Sequence, residues 1–247
     1  MRLAEVAAEE KLDLRAARVR RIIVAGEPGG SIPSVRTRLE KLWPGARVMD
    51  HHGMTEVGPV SYECPVRPGV LHVIESAYFA EAIDPASGQP AQPGQTGELV
   101  LTTLGRVASP LLRYRTGDLV KCGVRSAECG VACACERYEL TLEGGILGRT
   151  DDMIVVRGVN VYPSAVEEIV AACGGVAEYQ VAVQTRQALT ELSLQLEPRP
   201  DCADVAGLAR KLERSFQTAL ALRVSITIVP SGALPRSEMK ANRWVKT

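Results

Sequence analysis

Five short polar stretches hold most of the residues able to do chemistry, and each lies beside an apolar run. Asp50-His51-His52-Gly53-Met54-Thr55-Glu56 gathers imidazoles, a hydroxyl and carboxylates around one glycine. A glycine lets backbone approach a ligand, a hydroxyl can bond a phosphate oxygen, and a carboxylate can hold Mg²⁺. The same heptad also reads as an ordinary turn with an exposed acid. Tyr114-Arg115-Thr116-Gly117-Asp118-Leu119 sets a carboxylate after a tight turn, suited to accept two hydrogen bonds from a ribose diol or simply to bond its own backbone. The run from Gly148 to Pro163 places charged residues and two glycines around a short apolar segment, the makings of a hinge or of a plain linker and hairpin. Leu234-Pro235-Arg236-Ser237-Glu238-Met239-Lys240 carries a lysine near the C-terminus, a position where lysines are usually just solvated. Gly26-Glu27-Pro28-Gly29 follows an apolar strand and lacks the Gly-Lys-Ser/Thr of a Walker loop.

The cysteines form a second constellation. Cys64 and His72 flank a Pro/Gly turn, and Cys133-Ala134-Cys135 sits in an irregular stretch. Thiolates with an imidazole suit tetrahedral Zn²⁺ in a closed structural site, although the spacing is not the usual CxxC pair. Cys122 and Cys129 are spare candidates. Free thiols are the competing reading, and the one expected for Cys173 and Cys202.

Composition narrows the function classes. Lys plus Arg (29) equals Asp plus Glu (29), so no net field favours nucleic acid or an anionic membrane. Two Phe and two Trp argue against a base-stacking surface. No apolar run is long enough to span a bilayer, and the first residues alternate acids and bases without a hydrophobic signal core. Seven cysteines, an odd count without a secretion signal, point to a reducing cytoplasm.

The elements that must position these residues fall into two units. An amphipathic N-terminal helix, a buried strand over Val19–Ala25, a helix over Ser34–Leu42 and a strand over Arg47–Met49 give the alternation of a layered sheet covered by helices. From Leu71 to Leu119, stretches such as Leu71–Ile83 and Glu98–Thr103 broken by turn clusters predict antiparallel structure, a small barrel or twisted sheet. Lys121–Gly145 reads as irregular. Beyond it, strand Ile154–Val156, helix Ser164–Cys173, strands Tyr179–Gln184 and Leu192–Leu196, helix Asp204–Leu222 and strand Ser225–Val229 describe a small α+β sandwich. The fold class expected is α/β (α+β), with residues 1–150 and 151–247 as separate domains.

In order and spacing, the segments GEPGG, DHHGMTEVG, YRTGDL, GRTDDMIVVRGVNVYP and LPRSEMK resemble the conserved stations of the adenylate-forming (ANL) superfamily. ECPVRPGVLH, GGILGRTDDM and RGVNVYPS are similar to phenylacetate–CoA ligases, and the likeness runs from about Val19 to the C-terminus. It implies a two-step ligase: a carboxylate attacks the α-phosphate of ATP, giving an acyl adenylate and pyrophosphate, and the thiol of coenzyme A then displaces AMP. By position, the resemblance implies that Gly26, Glu27 and Pro28 line the adenine pocket with His52 stacked on the ring. Asp50 and Gly53 share the nucleotide loop, Thr55 bonds the α-phosphate, and Glu56 binds Mg²⁺. Asp118 takes the ribose hydroxyls, Arg149 approaches the nucleotide, Asp151 is the hinge and Gly158 lines the pantetheine tunnel. Lys240 bridges carboxylate and α-phosphate in the first step. Residues 1–150 then form the C-terminal portion of the large AMP-binding domain and 151–247 its mobile lid.

Three departures qualify that picture. The family's Ser/Thr/Gly-rich phosphate loop, expected upstream of GEPGG, has no counterpart, Met239 stands where glycine is commoner, and Cys135-Glu136-Arg137 where Cys-Gly-Arg is usual. The expectation is a truncated ligase acting on a carboxylic acid, by likeness an aryl acetate. The alternatives are a non-catalytic nucleotide- or CoA-binding remnant and a subunit that complements a separate N-terminal chain. An uncovered half-sheet also makes a homodimer plausible.

Overall fold

The computed structural model describes residues 2–26, 30–123, 132–186, 189–236 and 243–246. The chain divides into two compact units, Met1–Asp151 and Asp152–Thr247.

The first unit opens with helix α1 (Arg2–Glu9), and helix α2 (Pro33–Leu42) separates strands β1 (Arg21–Val24) and β2 (Arg47–Asp50), which pair in parallel with Val24 opposite Asp50. Pro33 starts α2, where its missing N–H is no loss, and Val35 and Leu39 are its buried residues. The alternation expected of a helix-covered sheet is present. The buried strand expected over Val19–Ala25 is not: β1 is shorter and Ile23 is 69% exposed. The reason is topological, because among the described residues β1 pairs with β2 alone.

A miniature hairpin, β3 (Gly53–Met54) with β4 (Gly58–Pro59), then leads into a six-stranded antiparallel sheet. Its strands are β5 (Ser61–Glu63), β6 (Val70–Val73), β7 (Tyr78–Ile83), β8 (Thr96–Thr103), β9 (Tyr114–Cys122) and β10 (Thr141–Arg149), in the order β5-β6-β10-β9-β8-β7. Register shifts between Glu98 and Val100, and between Leu142, Ile146 and Gly148, interrupt the ladders, and such bulges bend a sheet. Alternate residues of these strands, among them Leu71, Val73, Leu99, Leu101, Val120 and Leu142, close one core. Two sequence expectations need correction here. Leu71–Ile83 is two strands broken by a turn, and the stretch called irregular is strand at both ends, with β9 reaching Cys122 and β10 starting at Thr141.

The second unit has the α+β order read from its periodicity. Hairpin β11 (Ile154–Val156) and β12 (Val159–Val161) precedes helix α3 (Pro163–Cys173). Strands β13 (Val176–Arg186) and β14 (Leu189–Pro198), helix α4 (Val205–Leu220), β15 (Ser225–Ile228) and β16 (Trp244–Lys246) follow. The sheet order is β15-β14-β13-β16, and β16, unforeseen from the sequence, pairs in parallel with β13. Asp204 caps α4 by accepting the Gly207 N–H at 2.7 Å. The apolar stripe of α4 buries Leu208, Leu212 and Phe216 in a core with Val181, Leu194 and Leu196. Each fully buried Leu or Phe contributes about 1.5–3 kcal/mol.

Two ionic clamps complete this unit. Glu197 is fully buried and accepts from the Leu234 N–H at 3.4 Å and from the two terminal guanidinium nitrogens of Arg236. Arg243 pairs with Glu178 (2.7 Å) and Glu167 (3.1 Å) and lies 4.9 Å from the ring centre of Tyr179. In sequence the clamps stand on either side of residues 237–242. Burial pushes the Glu197 carboxyl up, but Arg236 and the Gly232 and Leu234 N–H groups outweigh it and hold it below its ordinary value of 4.5. A depressed carboxyl stabilises the fold above its unfolded value, and that contribution is lost as pH falls through the lower folded value. Glu197→Ala should therefore cost about 3 kcal/mol at neutral pH, the lower end for a buried pair because Arg236 is partly exposed. Urea unfolding should show the gap between wild type and variant closing as pH falls below 4.5; a gap independent of pH would contradict the ionic account.

Candidate nucleotide site

Strand β2 ends at Asp50, and the loop that follows is fixed from several sides. The Asp50 N–H donates to buried Glu63 at 3.2 Å, and the Ser31 hydroxyl donates to Asp50 Oδ2 at 2.5 Å. Burial, aided by the Glu63 carboxylate, raises the Asp50 carboxyl above the ordinary range although Ser31 pulls it back. Gly53 must be glycine, because a Cβ there would meet the Gly58 carbonyl oxygen at 2.8 Å. The hairpin it starts turns His52 back, so that its carbonyl accepts the N–H groups of Val60 (2.9 Å) and Ser61 (3.1 Å). Thr55 and Glu56 fall in the hairpin turn and are exposed.

On the large sheet, β9 and β10 pair with Asp118 opposite Arg149. The bulge in β9 before Asp118 is held by Glu98, also buried, which accepts the Gly117 N–H at 3.2 Å and pairs with Arg115. Thr116 bridges, donating to Leu99 O at 2.8 Å and accepting the Asp118 N–H at 3.0 Å. Gly117 has φ +78°, and a Cβ on it would lie 2.9 Å from the Arg149 guanidinium. Glycine thus serves both the backbone and the arginine that crosses it.

These constraints converge on one carboxylate. Asp118 is 7% exposed, with His52 Nε2 3.0 Å from Oδ2 and Arg149 Nη1 3.2 Å from Oδ1. A carboxylate only accepts, so His52 carries its proton on Nε2; its Nδ1 is buried and has no hydrogen-bond partner among the described residues. Arg149 also grips Asp151 in bidentate fashion at 2.8 and 3.0 Å, which holds the Asp151 carboxyl below its usual range. An ionised carboxylate offers about four lone-pair sites. Among the described residues two are engaged, one on each oxygen, so each oxygen can accept one further hydrogen bond.

The structure therefore joins His52, Asp118, Arg149 and Asp151 in one chain of contacts, with Asp50 and Gly53 fixing the loop that delivers His52. Gly26 closes β1 with φ +80°. Gly158, in the second unit, has φ +82° in the β11–β12 turn, its missing Cβ facing open space. Glu27, Pro28 and Lys240, together with the spare candidate Cys129, lie outside the described residues. Sequence reasoning missed Glu63 and Glu98, the buried acids behind the loop and the turn; each reads as the polar member of an alternating strand. An open groove of about 840 Å³ between α3 and α4, bordered by Glu168, Arg210, Lys211 and Arg214, contains none of the residues singled out from the sequence.

The sulfur cluster lies elsewhere on the same unit. The ligand atoms of Cys64, His72, Cys133 and Cys135 all lie within 4.8 Å of one another. Burial, with the adjoining sulfurs, pushes the Cys135 thiol up to about 11; burial, with the Arg137 and Arg67 charges, holds His72 below its ordinary value of 6.5 against the pull of Glu139, favouring neutral imidazole.

Comparisons with known proteins give the family and the fold. The family described as AMP-binding enzyme C-terminal domain matches residues 158–247. The phenylacetate–coenzyme A ligase of Thermus thermophilus is 35% identical over 214 residues, 78% of this chain and 46% of that protein. The phenylacetate–coenzyme A ligase of Escherichia coli is 33% identical over 81% of this chain and 45% of its own length. Among solved structures, 2-hydroxyisobutyryl-CoA ligase in the postadenylation state with R3-HIB-AMP covers all of this chain at 30% identity and a TM-score of 0.90, over 52% of that protein. The same ligase with 2-HIB-AMP and CoA in the thioesterification state matches 99% of the chain, and 51% of its own, with a TM-score of 0.56. The chain belongs to the adenylate-forming superfamily. Within it the sequence is phenylacetate–CoA ligase-like, and it spans about half the length of the curated relatives it matches.

The positive φ and the close guanidinium make Gly117 a sharp test. Gly117→Ala should lower the stability of the first unit by at least about 1–2 kcal/mol, the usual cost of left-handed backbone for an L-residue. Chemical denaturation measures it, and an unchanged midpoint would contradict the left-handed backbone at Gly117 and the close Arg149 above it.

Proposed function

We propose that this chain supplies much of the nucleotide site and the C-terminal lid of an AMP-forming acyl-CoA ligase of the phenylacetate–CoA ligase kind. The observation that carries the reading is Asp118: a buried carboxylate, aimed by His52 and Arg149, with one acceptor site left on each oxygen. Nucleotide ribose presents the matching pair of donors. The related 2-hydroxyisobutyryl-CoA ligase, crystallised with acyl-AMP and with CoA, supports the same ligands here.

In the first step a carboxylate oxygen of the acid bonds to the α-phosphorus of ATP and pyrophosphate leaves. In the second the CoA sulfur bonds to the acyl carbon, the thiol proton is released and AMP leaves. Charge grows on the α-phosphoryl oxygens as the first bond forms, so fixed donors and cations there lower the barrier. Thr55 is assigned a hydrogen bond to the α-phosphate, Lys240 the cation of the first step, and Gly26, Glu27 and Pro28 the adenine wall with His52 against the ring. Exposed Glu56 offers the hard oxygen donor that Mg²⁺ requires, and the ion would neutralise phosphate charge. Asp151, at the boundary of the two units, is the hinge, and Gly158 lines the pantetheine path. Zn²⁺, assigned to the Cys and His cluster, carries no chemical step. An aryl acetate is the acid the named relatives favour, and the described cysteines, none of them in a disulfide, suit the cytoplasm.

A second reading, that the chain works as a subunit with a separate N-terminal chain, is favoured by Ile23, 69% exposed on a strand whose other edge has no partner among the described residues. A homodimer would cover the same face.

Pyrophosphate release from ATP, Mg²⁺ and phenylacetate tests both readings. The chain alone should bind AMP and release little, and release should appear when the N-terminal half of a related ligase is added. AMP binding with no release in either case would instead mark a binding module. In the reconstituted enzyme, Lys240→Ala should slow adenylate formation by about two to three decades, yet spare thioester formation from preformed acyl adenylate. Equal loss of both steps would contradict the role given to Lys240.

A further inference from the structure

Cys64 directly follows β5, His72 lies in β6, and Cys133 and Cys135 sit on a tight turn. In that turn the Cys133 N–H donates to Arg137 O at 2.8 Å, and the Glu136 N–H to Cys133 O at 2.7 Å. Glu136 adopts φ +65°, so the turn presents both sulfurs toward the hairpin. The Cys64 and Cys133 sulfurs are 3.8 Å apart, and Cys135 Sγ lies 3.3 Å from His72 Nε2.

Those separations have a simple origin. Bonds of about 2.3 Å to sulfur and 2.0–2.1 Å to nitrogen, at tetrahedral angles, give edges of about 3.8 Å between two sulfurs and about 3.6 Å between sulfur and nitrogen. Both spacings match such a site to within a few tenths of an ångström. Neutral thiols, being weak donors and acceptors, give little reason for three of them and an imidazole to converge on one point.

We propose that Cys64, His72, Cys133 and Cys135 form a closed structural zinc site, which locks the β5–β6 hairpin to the turn before β10. The donor set selects the metal: three thiolates and one imidazole, with no carboxylate among them, suit Zn²⁺ and not Mg²⁺ or Ca²⁺. Four protein ligands leave no open position, so the ion stabilises the fold and activates nothing.

The surroundings are those of a ligand shell. The Tyr62 ring stacks on His72, centroids 5.6 Å apart and planes 23° off parallel, and its hydroxyl donates to Glu139. Arg67 lies beside Cys133 and pairs with Glu143 at 2.7 Å. Three thiolates around Zn²⁺ leave a net charge of −1, which that guanidinium offsets. The site also reaches the nucleotide loop. Glu63, beside Cys64, accepts the Gly69 N–H at 2.7 Å and the Asp50 N–H at 3.2 Å and pairs with Arg36. A metal that fixes this hairpin therefore steadies the end of β2, from which the His52 loop departs.

The full chain, purified without chelators from zinc-replete cells and analysed by plasma mass spectrometry, should hold a single zinc ion per molecule. Cys135→Ser and His72→Ala should reduce it to a trace, whereas Cys173→Ser, outside the cluster, should leave it intact. Arg67→Ala should weaken zinc binding about 10–100-fold, as losing a partner of a metal ligand does. Replacement by Co²⁺ in the wild-type protein should give thiolate charge-transfer absorption and the intense visible bands of a four-coordinate ion, a readout that does not depend on any variant folding. Wild-type protein without zinc that gives no such bands with Co²⁺ under reducing conditions would overturn the proposal. So would a Cys64–Cys133 disulfide in place of metal.

Discussion

A carboxylate shut away from water survives only where donors replace the solvent it has lost, and Asp118 sets that requirement for the first unit. Its oxygens are met by an imidazole from the β2–β3 loop and a guanidinium from β10, elements 66 and 31 residues away in sequence. The pairing of β9 with β10 brings Arg149 opposite, the β3–β4 hairpin turns His52 back, and Gly117 clears the space the arginine crosses. Loss of any one of these leaves a buried charge short of partners, which costs more than an ordinary surface contact contributes. The site is thus built by contacts between elements far apart in sequence.

Buried acids recur as the means by which loops are held. Glu63 steadies the backbone at Asp50, Glu98 the turn at Gly117, and Glu197 the segment before Lys240 in sequence. Each sits in a strand or at its end and accepts backbone N–H groups as well as an arginine. Backbone donors give direction and the guanidinium gives charge balance, so a flexible connection takes one geometry. The same division appears around the sulfur cluster, where Arg67 lies beside Cys133.

Much of this was legible beforehand, for reasons particular residues make clear. The strand over Glu98–Thr103 and the helical stripe of Leu208, Leu212 and Phe216 appear as expected, although the strand is buried on both faces from Glu98 to Leu101. The mixed α/β class and the membership in the adenylate-forming superfamily followed from such patterns and from ordered motifs. Other features were invisible because their cause lies far along the chain. Glu98 and Glu63 look like the solvent face of a strand until Arg115 and Arg36 are seen beside them. Ile23 reads as core by composition yet is exposed, since burial depends on a neighbouring strand. β16 is three residues long and depends on pairing with β13. That His52 bonds the edge of Asp118 could not be read either, since imidazole chemistry allows stacking and hydrogen bonding alike.

The proposed ligase function rests on Asp118 keeping one acceptor site on each oxygen for a ribose diol. Titration calorimetry comparing AMP with its 2′,3′-dideoxy analogue tests it most directly. Each hydrogen bond to a charged group is worth about 1.5–3 kcal/mol, so the analogue should bind at least about tenfold more weakly, and Asp118→Ala should erase the difference. Equal affinity of the wild-type chain for both nucleotides would contradict it.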